Sequence, residues 1–173
     1  MRKFIGFALL FGMFSLAAVA QESAPKAEFF GGYQYTHLEG GYNGNGFNFA
    51  LNGNFNDYFG ITADFGAAYN TQSGVSLNNY TYTFGPVLSL RANKTYTPFV
   101  HALIGGDHAT ASVSGVGSAS GNGYALMAGG GVDFNINRSL AFRAAQADWM
   151  LVHSNGSTSS KNFRISTGIV FKF

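Results

Sequence analysis

The feature that most constrains this chain is a two-residue alternation of large apolar with small or polar side chains, repeated eight times. It is clearest from Phe47 to Phe55. Phe47, Phe49, Leu51 and Phe55 fall on one face, with Gly53 among them, while Asn48, Ala50, Asn52 and Asn54 fall on the other. Successive strand residues point to opposite faces, so this is a strand with one strongly apolar side and one wet side. Phe59, Ile61, Ala63, Phe65, Ala67 and Tyr69 oppose Gly60, Thr62, Asp64, Gly66 and Ala68. Tyr80, Tyr82, Phe84, Pro86, Leu88 and Leu90 oppose Thr81, Thr83, Gly85, Val87, Ser89 and Arg91. Phe163, Ile165, Thr167, Ile169, Phe171 and Phe173 oppose Arg164, Ser166, Gly168, Val170 and Lys172. Phe29 to His37, Pro98 to His108, Tyr124 to Phe134 and Leu140 to His153 follow the pattern less cleanly.

Composition decides which side faces what. Charged residues make up 10% of the chain and aromatic ones 16%, against about 25% charged in ordinary soluble domains. A soluble barrel would carry the same alternation inverted, with large side chains inside. So little charge on its outside would invite aggregation. An outside facing lipid has no such problem. Beyond the first residues no apolar run is long enough for a spanning helix, which leaves a closed barrel as the structure that satisfies every backbone group in lipid. The expected fold is therefore all-β: an eight-stranded antiparallel up-and-down transmembrane barrel. Pro86 removes one ladder hydrogen bond, so a bulge or a strand end is expected there.

The N-terminus reads as a cleaved signal peptide over 1–20. Arg2 and Lys3 precede an uncharged apolar run, and Ala18-Val19-Ala20 is a small-x-small cleavage site with Gln21 as the first mature residue. Residues 21–26 read as a short flexible periplasmic leader and 27–173 as the barrel. Removing Arg2 and Lys3 from 10 Lys and Arg leaves 8, against 8 Asp and Glu, so the mature chain is formally neutral. A nucleic-acid partner is therefore not expected. There is no Cys, hence neither disulfides nor a lipoprotein anchor.

The connections alternate in length. Leu38 to Gly46, Asn70 to Asn79, Ala109 to Gly123 and Ser154 to Asn162 are long and rich in Gly, Ser and Asn, while Asn56 to Tyr58, Ala92 to Thr97 and Asn135 to Ser139 are shorter. Barrels of the outer membrane place short turns in the periplasm and long loops outside. The expected location is thus the outer membrane of a Gram-negative-type bacterium, with both termini periplasmic and the long loops extracellular.

These residues resemble a known family, the small outer-membrane β-barrel domains of the OmpA/OmpX-like type. The resemblance rests on Phe29-Phe30-Gly31-Gly32-Tyr33-Gln34-Tyr35-Thr36, Thr97-Pro98-Phe99-Val100-His101-Ala102-Leu103, Gln146-Ala147-Asp148-Trp149 and Gly168-Ile169-Val170-Phe171-Lys172-Phe173. It covers the whole mature chain. It implies fold and compartment more than activity. It also implies that Phe171 and Phe173 act as the signal read by the barrel-assembly machinery, with periplasmic chaperones as transient partners. Lipid and lipopolysaccharide of the outer membrane are the permanent ones. No peptidoglycan-binding domain follows, unlike the full OmpA pattern.

Candidate chemistry lies on the inward faces. Asp64, Arg91, Asp133 and Arg164 point inward, and Arg143, Asp148 or both join them if a bulge interrupts the seventh strand. An interior of eight strands is only wide enough to be filled by its side chains. Buried charges there must pair, so a lumen charge network is expected before a proton or ion path. His101 and Asp107 line the interior, and His37, His108 and His153 sit near the rim; none has metal-ligand spacing. His153-Ser154-Asn155 loosely resembles the His–Ser region of lipid A deacylases. Neighbours on a strand point to opposite faces, however, and the final strand has no Asp or Glu to complete a triad. Gly129-Gly130-Gly131 lies within a strand and favours curvature or close side-chain approach over phosphate binding. No catalytic residue, cofactor or metal is expected. A structural or surface-interaction role stands first, a narrow porin-like channel second and a lipid A-modifying enzyme third. No surface ligand is legible.

Overall fold

A computed structural model describes residues 24–72, 74–113, 115, 117–154 and 156–173. The expected cleavage point between Ala20 and Gln21, and Asn155, lie outside the described residues. Eight strands run in order: β1 (Ala27–Leu38), β2 (Tyr42–Asn54), β3 (Phe59–Gln72), β4 (Val75–Ser89), β5 (Tyr96–Val113), β6 (Gly117–Asn135), β7 (Leu140–Ser154) and β8 (Ser157–Lys172). Each pairs antiparallel with its neighbours in sequence, and β1 also pairs with β8, which closes the barrel. Closure satisfies the backbone groups that a sheet edge would leave bare in lipid.

The alternation decides which side chains go where. Along β3, Ile61, Ala63, Phe65 and Tyr69 are exposed, while Gly60, Thr62, Asp64 and Gly66 are buried. The outer surface carries Phe84, Val100, Ile104, Leu126, Trp149, Phe163 and Ile165, all exposed. A surface of this kind is stable only against hydrocarbon. The interior contains two apolar clusters at different heights. Phe30, Ala50, Ala141 and Val170 pack near the end that holds Phe173. Leu103, Met127 and Met150, with Leu38 and Val152 against them, pack towards the other end.

Three expectations are corrected. The long connections are not loops for most of their length. Pairing runs up to Leu38↔Tyr42, Gln72↔Val75, Val113↔Gly117 and Ser154↔Ser157. The turns left between these strands are shorter than Phe55–Tyr58, Leu90–Thr95 and Ile136–Ser139 at the opposite end. Gly40, Gly41, Gly74, Gly115 and Gly156 take positive φ and make those tight turns possible. Polar residues pair as readily as apolar ones when water rather than lipid covers the faces, so a Ser/Gly/Asn composition did not stop the strands.

Pro86 causes neither a bulge nor a strand end. The β4–β5 register is the same at Phe84↔Ile104 and at Val87↔His101, with the rungs of Gly85 and Pro86 missing between them. Pro86 stays aligned with Ile61 of β3. The lost N–H is absorbed as a local gap in one ladder. The described part of the expected leader is also tied down. Ala24 N–H donates to Asp57 Oδ1 at 2.8 Å, Asn54 N–H to Lys26 O at 3.0 Å and Asn54 Nδ2 to Pro25 O at 2.8 Å.

The seventh strand has a bulge. Arg143 faces Asp133 but Ala145 faces Val132, so β7 holds one residue more than β6 at this point. On its other side, Arg143 faces Gly168 and Gln146 faces Ser166, again with one residue extra on β7. Parity is reset by Ala144. Arg143, Gln146, Asp148 and Met150 therefore all turn inward and are buried.

Candidate functional site

Between the two apolar clusters lies a continuous charged network. Its centre is Arg164, which is 1% exposed. Nη1 donates to Asp64 Oδ1 at 2.6 Å, and Nε donates to Asp148 Oδ2 at 2.8 Å. Asp64 also accepts from Asn48 Nδ2 at 3.0 Å. Asp148 accepts from Gln146 Nε2 at 2.8 Å, and its Oδ1 is 2.7 Å from His101 Nε2. The same Gln146 accepts from Arg143 Nη1 at 2.7 Å. Arg143 binds Asp133 through two nitrogens, at 2.7 and 3.0 Å. Its guanidinium lies between the rings of Phe30 and Phe99, 4.4 and 4.2 Å from their centroids. Aromatic faces stabilise a cation that has left water. The two-point Arg–Asp contacts supply the pairing that buried charge requires.

A second group closes the end near Phe173. Arg91 Nη2 donates to Glu28 Oε2 and Nη1 to Asp57 O, both at 2.9 Å. Asn54 Nδ2 reaches the same Glu28 oxygen at 3.3 Å. Lys172 Nζ donates to Asn135 Oδ1 at 2.5 Å.

All six expected lumen charges are thus inward and paired, but in two groups. Asp64, Asp133, Arg143, Asp148 and Arg164 join one network, and Arg91 joins Glu28 instead. Glu28 was missed because it precedes the first clear alternation at Phe29, although period two places it on the same face as Phe30. Gln146 was missed because the bulge had to be located first. His101 is inside, as expected, and Asp107 is buried with Asn79 Nδ2 donating to it at 2.5 Å. The glycine run has the expected close approaches. A Cβ at Gly129 would lie 2.1 Å from Asp148 Oδ1, and one at Gly131 would lie 3.0 Å from the Phe99 ring. Those two glycines make room for the network.

The rim histidines have other partners. His37 Nδ1 is 2.7 Å from Asn43 Oδ1, and His108 Nδ1 is 2.7 Å from Asn122 Oδ1. His153 Nδ1 is 2.8 Å from Thr158 Oγ1, whereas the Ser154 hydroxyl donates to Asn122 O at 3.0 Å. His153 and Ser154 are therefore not arranged as base and nucleophile. Among the described residues no group of three or more His, Cys, Asp or Glu could hold a metal ion. Two shallow hollows, one lined by Phe29, Phe49, Leu51 and Phe84 and the other by Tyr82, Phe84 and Tyr124, face outward rather than into the lumen.

At the hairpin end the strands rise to unequal heights. The β5–β6 ladder continues to Val113↔Gly117, but β7 joins β6 only from Gly123↔Ser154. Among the described residues, 117–121 of β6 are therefore paired on one side only. Above the barrel, β3, β4, β5 and β6 form a small sheet whose β6 edge reads Gly-Ser-Ala-Ser-Gly. It has none of the charges or prolines that usually protect an edge. At the neighbouring turn, Ser159 Oγ donates to Glu39 Oε2 at 3.0 Å, and this hydrogen bond holds the Glu39 carboxyl below its usual range.

Comparison with known proteins agrees with this architecture. The model of the outer membrane protein beta-barrel domain family matches residues 6–173. The attachment invasion locus protein Ail of Yersinia pestis is 20% identical, with a TM-score of 0.59 over 88% of this chain and 100% of that one. Neisserial surface protein A is 12% identical, with a TM-score of 0.69 over 85% of this chain and 96% of that one. The N-terminal barrel domain of Pseudomonas aeruginosa OprF is 10% identical, with a TM-score of 0.56 over 87% and 99%. At such identities the likeness is one of fold. No curated protein sequence matches the chain.

Proposed function

We infer, since the chain belongs to the outer membrane protein β-barrel domain family, that it is a non-enzymatic surface protein whose filled barrel carries a sheet edge into the medium. Both termini lie in the periplasm in this reading, and the hairpins lie outside. The observation that carries it is the one-sided pairing of residues 117–121. Unpaired N–H and C=O groups in a row accept one kind of partner well, an extended polypeptide that adds a strand. The Ser and Ala side chains along the edge impose little selection, so recognition would rest on backbone hydrogen bonds.

Outer-membrane lipid and lipopolysaccharide surround the barrel in this reading, and the barrel-assembly machinery and periplasmic chaperones deliver it. Ail of Yersinia pestis has been seen in complex with sucrose octasulfate, a heparin analogue. A polyanion is not favoured as a partner of this chain. The exposed hairpin end offers Lys161, and its Nζ lies 3.8 Å from Glu39 Oε1. Conduction is not favoured either, because the Arg164 network lies between two apolar clusters.

Adhesion of cells to protein-coated surfaces tests the edge. Cells producing the natural chain should adhere several-fold better than cells producing equal surface amounts of Ser120→Lys, whose charge obstructs strand addition. Equal adhesion would sink the edge reading. Stable single-channel steps from purified protein in planar bilayers would sink the filled lumen. Altered lipid A acylation on expression would overturn the non-enzymatic assignment.

A further inference from the structure

The β6 edge that stands above the barrel has a sequence that reads the same from either end: Gly117-Ser118-Ala119-Ser120-Gly121. Ser118 and Ser120 fall on one face of the strand and Ala119 on the other. Gly117 to Ser120 are exposed. Among the described residues the segment is paired only with β5, as Thr110↔Ser120, Ala111↔Ala119 and Ser112↔Ser118. From Ala109 to Gly123 the sequence holds no charged residue.

Backbone hydrogen bonds by themselves fix no register. A two-fold axis through Ala119 does, because residues equally far from Ala119 then face each other in an antiparallel pair. Gly117 meets Gly121 of the other copy, Ser118 meets Ser120, and Ala119 meets Ala119. Small side chains meet small ones, so the two backbones close without a clash. No like charges oppose each other, and the serines lie hydroxyl to hydroxyl, a favourable cross-strand pair. The same sheet already holds a pair of this kind. Thr71 and Ser76 are opposite each other across β3 and β4, with Oγ1 and Oγ 3.2 Å apart.

We propose that the edge of β6 binds the same edge of a second copy of this chain, antiparallel about Ala119, and that the second copy stands in a facing membrane. The proposal rests on the strand-addition reading above and names its partner. A flexible peptide loses backbone freedom when it becomes a strand. The second copy brings an edge that its own β5 already holds extended. Chain direction selects the membrane. β6 runs from Gly117 down into the barrel, and barrel strands tilt by about 35–45°. In one membrane two β6 strands descend together and cannot run antiparallel. In two membranes facing each other they can. A five-residue ladder is weak singly, and many copies on each surface add their contributions.

The natural chain has no Cys, so introduced thiols report the pairing directly. Ala119→Cys, Ser118→Cys and Ser120→Cys, each checked for the heat-sensitive mobility of a folded barrel, are placed in phosphatidylcholine vesicles. Vesicles carrying a tagged chain are mixed with vesicles carrying an untagged one and mildly oxidised. Directly opposite Cα atoms lie about 4.5–5.5 Å apart, within disulfide reach, whereas diagonal neighbours at about 7–8 Å are beyond it. Tagged-to-untagged dimers should form several-fold more for Ala119→Cys with itself, and for Ser118→Cys with Ser120→Cys, than for Ser118→Cys with itself. Equal yields from the three mixtures, or none, overturn the proposal, and so do dimers confined to chains sharing one vesicle. If cross-linking fails while Ser120→Lys still weakens adhesion to protein-coated surfaces, the edge takes other polypeptides and only the second copy is ruled out. If both fail, the edge reading falls with it.

Discussion

Arg164 receives its two carboxylates from strands far apart in sequence, Asp64 on β3 and Asp148 on β7, and is buried with both. Removing one member of such a cluster leaves charge in a low dielectric with nothing to balance it, at a typical cost of about 3–5 kcal/mol. Arg164→Met should therefore lower the stability of the folded barrel by about that amount, measured by urea unfolding in lipid vesicles. Adding Asp64→Asn and Asp148→Asn to it should restore a good part of the loss, since the uncompensated carboxylates are then gone. A single variant as stable as the natural chain would show that the cluster is not held by charge. The inward placing of Asp64 and Arg164 was legible in the sequence, because alternation alone decides it. Their pairing was not. It depends on which strands face each other across a closed lumen, and Arg164 and Asp64 are 100 residues apart. Glu28 as the partner of Arg91 was hidden for the same reason.

β7 shows what one residue does to an element. Without the extra residue at Ala144, Arg143 and Asp148 differ in parity and one of them must face lipid. With it, both turn inward, and Asp133 and Arg164 obtain their partners. Deleting Ala144 should move one half of β7 to the opposite face. The expected result is a chain that accumulates without the heat-sensitive gel mobility of a folded barrel, while the lipid-facing Ala147→Val keeps it. Normal mobility for the deletion would mean that the bulge is incidental. The charges alone signalled that a bulge was needed, but not its position, because the neighbouring Ala-Ala pair fits either face. The hairpins were misread for a related reason. Period two is visible only where one face must be apolar. Above the lipid both faces are wet, so residues 109–113 and 117–123 pair along their full length with no alternation to announce it.

At the scale of the whole barrel, the wall closes between Ala27 and Phe173. Phe173 N–H donates to Ala27 O at 2.9 Å, and Ala27 N–H donates to Phe173 O at 3.3 Å, so the final backbone unit completes the seam between β1 and β8. Its ring does something else: it is 73% exposed, beyond the last outward position, Phe171, on β8. The seam uses the main chain, whereas a recognition signal needs the side chain. Phe173→Ala separates the two, because it keeps both backbone bonds and removes the ring. If Phe173 is read by the assembly machinery, the variant should refold into detergent with an unchanged unfolding temperature, since the ring contributes little to packing inside the barrel. The amount reaching the outer membrane of cells should fall several-fold, with the remainder degraded in the periplasm, as quantified by membrane fractionation. Loss of stability in detergent would assign the ring to the fold instead. Unimpaired assembly in cells would leave the closing backbone bonds as the whole contribution of Phe173.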